Sequence, residues 1–168
     1  MGKAIWASVL LLAAIACTSL RPQTGEISFR LLWDGKADLD LHVVDPGGGH
    51  TGIPFMAAAA RDPQRYAQLQ AEMVAGKNLE GKSAGIIDID CNADTERVCP
   101  NPMENIFWPI GKAPRGSYQV WVELFQQVEG SGEVPYVLEI RRGEKVTQRI
   151  AGSVSQSKAK SEVVEYPY

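Results

Sequence analysis

Apolar and polar residues alternate with a period of two along most of the chain, which is the pattern of half-buried β-strands. In the clearest case, apolar residues occupy every second position from Tyr118 to Leu124. Turn-forming residues such as Asp34–Gly35 and Asp45–Gly49 separate the alternating segments. The strands predicted in this way are 26–33, 39–44, 85–90, 105–108, 118–124, 134–141, 145–150 and 162–166. About seven or eight short strands with such punctuation predict an all-β fold, an antiparallel β-sandwich.

One segment departs from this alternation. Asp62 and Pro63 have the character of a helix N-cap and first helical residue, and Gly76 is a typical helix stop. Between them, apolar residues recur at helical spacing. We interpret residues 54–84 as an insertion between two strands that carries one amphipathic α-helix packed on the sandwich.

The N-terminus has the form of a secretory signal peptide. Lys3 supplies a positive charge, and an apolar stretch follows from Ala4 to Ala16. At about 13 residues this stretch is shorter than the roughly 20 needed to span a bilayer. We therefore assign residues 1–16 to a signal peptide.

Cys17 directly follows the predicted signal peptide. The sequence Ala14–Cys17 fits a bacterial lipobox, in which the cysteine becomes the lipidated first residue of the mature protein. Residues 17–25 would then form a lipidated tether, and Thr18 favours sorting to the outer membrane, facing the periplasm or the cell surface. The alternative is an Ala-x-Ala cleavage that releases an unlipidated secreted protein.

The composition fits one folded domain, which we place at residues 26–168. The 168-residue chain has 8% aromatic and 22% charged residues, which argues against disorder. Its formal net charge of −3 gives no basic surface for nucleic acid.

The cysteine count supports export. Cys91 and Cys99 are close enough in sequence to form a disulfide in an oxidising compartment. Cys17 is then the odd cysteine, and lipidation accounts for it.

Acidic residues provide the main candidate chemistry. In strands, Asp38 and Asp40 would point away from the core, and so would Asp88 and Asp90. Hard oxygen donors at every second position are what Ca²⁺ prefers. The predicted ligands are Asp38, Asp40, Asp88, Asp90, Asn92 and Asp94.

The calcium interpretation has a structural alternative and does not match the usual calcium-binding loop. Aspartates of this kind can simply be solvated or cap turns. The segment is also not an EF-hand loop, since Ala93 replaces the glycine at the sixth position. Any ion would therefore lie between two loops, and Zn²⁺ is disfavoured because the chain has only two histidines.

Several motifs together resemble the YfaP-like family of exported bacterial domains of unknown function. They lie within residues 26–150 and comprise Trp33, Asp38–Val43, Asp45–Gly47, Ile87–Asp90, Glu104–Trp108 and Gly116–Val120. The resemblance implies a β-sandwich and adds Glu104 to the aspartates at one end of it. It implies no reaction, and the 54–84 segment and the cysteine pair depart from the family pattern.

These features favour a non-catalytic envelope lipoprotein that binds an envelope protein or a glycan, or has a structural role. A carbohydrate-binding module is an alternative, with Trp108, Tyr118 and Trp121 as a stacking platform. A hydrolase that uses clustered carboxylates is a further one. The chain has none of the usual nucleophile, metalloprotease or phosphate-loop motifs of enzymes.

Overall fold

The computed structural model describes residues 21–52, 85–93, 98–128, 130 and 132–168. Several sequence predictions lie outside these residues: the signal peptide at 1–16, lipidation of Cys17, the helical insertion at 54–84, and Asp94 as a ligand. Among the described residues, no helix is long and apolar enough to cross a membrane.

Nine strands form two antiparallel sheets in the described part of the chain, as the all-β prediction required. The strands are β1 (Ile27–Trp33), β2 (Asp38–Val44), β3 (His50–Thr51), β4 (Ile86–Asp90), β5 (Met103–Trp108), β6 (Ser117–Gln126), β7 (Val134–Arg142), β8 (Lys145–Val154) and β9 (Val164–Pro167). The first sheet has the order β4-β5-β1-β7-β8, and the second has the order β3-β2-β6-β9. The sequence did not predict β3, whose two residues carry too short a pattern to detect.

The core lies between the alternating apolar faces of the two sheets. Phe29 of the first sheet is fully buried, with its ring 5.5 Å from that of Tyr118 in the second. Leu39, Leu41 and Val43 of β2 are fully buried. Full burial of such a side chain contributes about 1.5–3 kcal/mol to folding. The period-two alternation therefore correctly identified the inner faces of β1, β2 and β6.

The two ends of the domain are defined by strand direction. At one end lie Ile27, where β1 starts, and Trp108, where β5 ends. At the other end lie Trp33, where β1 finishes, and Asp38, where β2 begins. The indole of Trp33 donates a hydrogen bond to the carbonyl of Ala37 at 2.8 Å, so this side chain holds the turn between the two sheets.

The predicted disulfide is confirmed. Cys91 and Cys99 are bonded, with their Cα atoms 5.8 Å apart, in the loop between β4 and β5. The half-cystine Cys91 is almost fully buried and belongs to the apolar core. The bond therefore fixes this loop against the end of the domain where β2 begins.

Candidate acidic cation site

Four carboxyl groups from three strands gather where the first and second sheets meet. Asp38 and Asp40 come from β2, Asp90 ends β4, and Glu104 lies in β5. We call these four residues the acidic cluster. Asp38, Asp40 and Glu104 are almost completely buried, whereas Asp90 is exposed at the opening of the cluster.

In the described part of the chain, the first half of β2 is unpaired along one edge, and the cluster forms there. β3 pairs only with Val43 and Val44, so it does not cover the first half of β2. Glu104, on the inner face of the other sheet, reaches across and accepts a hydrogen bond from the backbone N–H of Leu41 at 2.6 Å. A buried N–H that lacks a ladder partner is satisfied in this way. The expectation that the aspartates lie on neighbouring strands was wrong, because β2 and β4 belong to different sheets.

A β-bulge separates Asp88 from Asp90. The register between β4 and β5 shifts between Ile87 and Ile89, so Asp88 is the extra residue. Its carboxylate accepts hydrogen bonds from the Asn105 side chain and from the Gln23 backbone N–H, each at 2.7 Å. Asp90 instead lies opposite Glu104. The prediction that Asp88 and Asp90 share one site was therefore wrong, since simple alternation does not continue through a bulge.

Asn92 connects two loops through hydrogen bonds of its side chain. It adopts a left-handed backbone conformation with φ of 69°. Its side-chain amide donates to the carbonyl of Ala37 at 2.9 Å, and its carbonyl accepts from the backbone N–H of Cys99 at 2.9 Å. This residue, predicted as a ligand, joins the disulfide loop to the turn before β2.

Burial and mutual repulsion raise the pKa values of the acidic cluster. Burial raises the pKa of Asp38 to about 8, and the charges of Asp40 and Asp90 add to the effect. Burial, followed by the charges of Asp90 and Glu123, raises the pKa of Asp40 to about 7. The pKa of Asp90 is also raised, first by desolvation, and burial raises that of Glu104 well above its usual value.

The acidic cluster has no compensating charge in the described part of the chain. No basic side chain there is among the groups that shift these four pKa values. Among the described residues, Asp38 Oδ1 and Glu104 Oε1 are buried without a hydrogen-bond donor, and the Glu104 carboxyl also shares a hydrogen bond with Asp90. Buried oxygens of this kind cost free energy unless a proton or a cation reaches them. As they stand, however, no three Asp, Glu, His or Cys side chains of the described residues form a ready metal-binding set.

A second polar group lies beside the cluster on the outer face of β2 and β6. The His42 ring stacks on Trp121 with centroids 4.9 Å apart, and its Nδ1 lies 3.2 Å from His50 Nε2. Lys160 lies 4.3 Å from the Trp121 ring centroid. Glu123 lies opposite Asp40 and 3.6 Å from His42 Nε2. Burial, together with His50 and Lys160, lowers the pKa of His42 to about 3, so the imidazole is neutral.

Sequence reasoning missed Glu123 as a neighbour of the cluster. Its alternation with Val122 and Leu124 was visible and placed it on the polar face of β6. The signal that brings it next to Asp40 is the pairing of β6 with β2, and periodicity does not specify pairing.

Two of the three predicted stacking aromatics belong to the core. Trp108 and Tyr118 are both 0% exposed, and their rings contact each other edge to face at 5.2 Å. The Tyr118 hydroxyl donates to the carbonyl of Pro114 at 2.8 Å. The expectation that they line a ligand platform was therefore wrong, because both positions fall on the inner faces of the sheets. Trp121 alone lies on an outer face.

Comparison of the chain with protein-family models, with curated protein sequences and with solved structures finds no match in any of the three. The resemblance to YfaP-like domains therefore rests on the short motifs alone.

Proposed function

We propose that this protein is a non-catalytic β-sandwich of the bacterial envelope, anchored by lipid at Cys17 and stabilised by Ca²⁺ at the acidic cluster. The observation that carries the calcium part is the pair of buried oxygens on Asp38 and Glu104 that find no donor among the described residues, in a cluster of four carboxyl groups whose charges raise one another's pKa values. The motif resemblance to exported YfaP-like domains supports the same assignment.

Calcium is the ion whose chemistry fits this set of donors. Ca²⁺ takes six to eight oxygen ligands at about 2.3–2.6 Å and tolerates irregular geometry. Asp38, Asp40, Asp90 and Glu104 offer only oxygen, and the exposed Asp90 leaves room for water ligands. With pKa values of about 8 and about 7, Asp38 and Asp40 keep protons up to near-neutral pH, so an ion would replace those protons and draw the oxygens together. Binding would therefore strengthen as pH rises.

The confirmed disulfide supports an exported location. Structural disulfides persist in oxidising compartments and are rare in reducing ones. The bond between Cys91 and Cys99 leaves Cys17 as the odd cysteine of the chain. An acyl group on Cys17 gives this third cysteine a role, as the lipobox predicts.

The structure favours this proposal over a glycan-binding platform. Trp121 is flanked by His42 from β2 and by Lys160 on the opposite side of β6, and both contact its ring. Sugar stacking needs an open aromatic face. Neither face of Trp121 is open in the described part of the chain, so a sugar would have to displace one of these neighbours.

Calcium binding is best tested on the mature chain from residue 17 with Cys17→Ser, which prevents lipidation and leaves the other residues intact. We expect isothermal titration at pH 8 to show saturable Ca²⁺ binding, and thermal melts to show a higher Tm with Ca²⁺ than with chelator. At an ion concentration 100 times Kd, the gain in stability is about 2.7 kcal/mol.

Matched variants locate the ion. Asp40→Asn should abolish the calcium-dependent rise in Tm, because it removes a ligand of the acidic cluster. Asp88→Asn should leave it unchanged, since the Asp88 carboxylate faces Asn105 and Gln23. Equal loss in both variants, or no effect of Ca²⁺ on the parent protein, would contradict the site.

The lipid anchor is tested by a separate measurement. The intact mass of protein extracted from the envelope should show acyl groups on a chain that begins at Cys17. A mass without acyl groups would contradict the lipoprotein assignment and leave the calcium site standing.

A further inference from the structure

The two histidines of the chain come together on the outer face of the second sheet. The sequence contains only these two, His42 and His50, and the antiparallel pairing of β2 with β3 brings them side by side. His42 Nδ1 lies 3.2 Å from His50 Nε2, and the ring centroids are 5.4 Å apart. We call these two residues the histidine pair, and it contains every imidazole of the protein.

The separation of the two nitrogens suits two ligands of one metal ion. Imidazole nitrogens bind Zn²⁺ at about 2.0–2.1 Å, and two of them at that distance, with an angle of roughly 90–109° at the metal, are about 2.8–3.4 Å apart. The observed 3.2 Å also fits a hydrogen bond between the rings. The histidine pair can therefore hold either a hydrogen or a metal ion between its nitrogens.

Glu123 favours one arrangement of hydrogens on His42. Its Oε2 lies 3.6 Å from His42 Nε2, and this buried Nε2 has no hydrogen-bond partner among the described residues. A carboxylate attracts an N–H and repels a lone pair, so the hydrogen belongs on Nε2. The lone pair of His42 is then on Nδ1, which faces His50. A carboxylate behind a metal-binding histidine fixes the ring in the same way.

Gly52 leaves space beside the same nitrogen. A Cβ atom at position 52 would lie 2.5 Å from His42 Nδ1 and 3.2 Å from Cγ of that ring. Any other residue would therefore push against the proposed ligand atom, whereas glycine allows the close approach. His50 is only half-buried, so water and ions can reach the histidine pair from its side.

Trp121 holds the histidine pair in place. Its ring is parallel to that of His42 within 2°, and its centroid is 5.1 Å from that of His50. With 1% exposure, His42 is fixed by packing, which keeps a ligand in position before an ion arrives. Lys160 adds a positive charge that acts on His42. The Glu123 carboxylate offsets this charge for a bound cation.

The donor atoms select the class of ion. No third Asp, Glu, His or Cys side chain of the described residues completes a metal-binding set with the pair, so water would supply the remaining ligands. Imidazole suits Zn²⁺, Cu²⁺ and Ni²⁺, and at a given nitrogen site Cu²⁺ generally binds most tightly among divalent first-row ions. Ca²⁺ prefers oxygen ligands. The histidine pair and the acidic cluster therefore favour different ions.

We propose that His42 Nδ1 and His50 Nε2 form a second metal site, which takes Cu²⁺ and, more weakly, Zn²⁺. The ion replaces the hydrogen between the two nitrogens, and His50 then carries its hydrogen on Nδ1. Glu123 is a positioning residue that holds His42 through Nε2. The site depends neither on the lipid anchor nor on calcium at the acidic cluster.

Electron paramagnetic resonance of Cu²⁺ tests the site, because nitrogen ligands split the copper signal and carboxylate oxygens do not. One equivalent of Cu²⁺ is added to the untagged mature chain from residue 17 with Cys17→Ser. We expect a signal with two imidazole nitrogens. His50→Gln should remove one of them and weaken binding by about tenfold or more, the scale of a lost partner in a metal site. A signal without imidazole nitrogens, or one that His50→Gln leaves unchanged, would overturn the site.

Three further variants locate the copper. Asp40→Asn is the matched control from the same strand and should keep the two-nitrogen signal, since Asp40 belongs to the acidic cluster. Gly52→Ala keeps both histidines but should weaken binding, because its methyl group crowds His42 Nδ1. An unchanged near-ultraviolet circular dichroism spectrum verifies that this variant is folded. Loss of the signal in Asp40→Asn, or full binding by folded Gly52→Ala, would overturn the assignment.

The positioning role of Glu123 has its own comparison. Glu123→Ala should weaken Cu²⁺ binding by about tenfold. Glu123→Gln should restore part of the affinity, because its amide oxygen can still accept a hydrogen bond from His42 Nε2. Equal affinities of the parent protein and both variants would overturn this role.

Discussion

Glu139 and Glu104 lie on opposite faces of the same sheet, and both are almost fully buried, at 5% and 1% exposure. Glu139 accepts hydrogen bonds from Arg141 at 2.7 Å and from Arg149 at 2.8 Å. Glu104 accepts one from the Leu41 backbone, and its side-chain neighbours are carboxyl groups, one of which, Asp90, shares a hydrogen bond with it.

The two environments move the pKa in opposite directions. Burial would raise the pKa of Glu139, but hydrogen bonds from Arg149 and Arg141 outweigh it, and the pKa is lowered. Burial and the charges of Asp90 and Asp40 raise the pKa of Glu104. Burial raises the pKa of both carboxyl groups, and most strongly that of Glu104. The two arginines reverse this shift at Glu139, whereas the neighbouring carboxyl groups add to it at Glu104, so one site holds a stable anion and the other suits a proton or a cation.

The largest expected effect is on the pH dependence of stability without metal. Asp38 and Asp40 have folded pKa values of about 8 and about 7, above their ordinary value of 3.8. Their contribution is full below pH 4 and is lost as pH rises to about 8. Each proton held only by the folded state changes the free energy of unfolding by about 1.4 kcal/mol per pH unit. Urea denaturation with chelator, from pH 4 to pH 8, measures this fall.

Glu139 makes the free energy of unfolding rise with pH, which is the opposite dependence, and it does so at lower pH. Because its folded pKa is depressed, its stabilisation is present above its ordinary pKa of 4.5 and is lost as pH falls through the folded value. Metal-free protein should therefore be most stable near pH 4–5. Calcium should remove most of the loss at pH 8, and a flat profile between pH 5 and pH 8 without metal would refute the electrostatic description of the cluster.

Removing an arginine partner of Glu139 should give the next largest change in the free energy of unfolding. Arg141→Met leaves Glu139 with Arg149 as its remaining partner, so the loss should stay below the roughly 3–5 kcal/mol expected for a buried charge left with no partner. Arg149→Met is the matched control, because Arg149 is 68% exposed and should matter less. Chemical denaturation at pH 7 gives both values. A larger loss for Arg149 would contradict the assigned roles of the two arginines.

Alternation was sufficient to predict the all-β class and the inner faces of the main strands. Leu39, Leu41 and Val43 are buried as their spacing predicts, because period two is a local property of a strand. The part of the site that lies on β2 could be predicted from the sequence for the same reason. Asp38 and Asp40 do share one face, as the sequence indicated.

The other half of the site depends on features that alternation does not encode. Asp88 was wrongly grouped with Asp90 because a single bulge residue changes the direction of the chain. The role of Glu104 follows from β2 and β5 meeting across the two sheets, which is a tertiary contact. Trp108 and Tyr118 were misassigned because an aromatic residue in a strand has the same local pattern whether it faces a core or a ligand.

A substitution within the acidic cluster should have the opposite sign to one at Arg141. Asp40→Asn removes a carboxyl group that repels Asp90 and Glu123. At pH 8 without metal it should stabilise the protein by about 1–2 kcal/mol, the scale of an uncompensated buried polar group. Thermal melts at pH 5 provide the control, because the carboxyl group is protonated there and the gain should shrink. Destabilisation at pH 8 would indicate that a cation already neutralises Asp40.

The smallest effect is expected at Glu123, which lies between the cluster and His42. Its charge raises the pKa of Asp40, but its side chain is 46% exposed and screened by water. Glu123→Gln should therefore stabilise metal-free protein at pH 8 by less than about 1 kcal/mol. The gain should fall further in 0.5 M salt, whereas that of Asp40→Asn should persist, because buried charges are screened less. A salt-resistant gain at Glu123 would place it within the cluster, as a fifth buried carboxylate and a further calcium ligand.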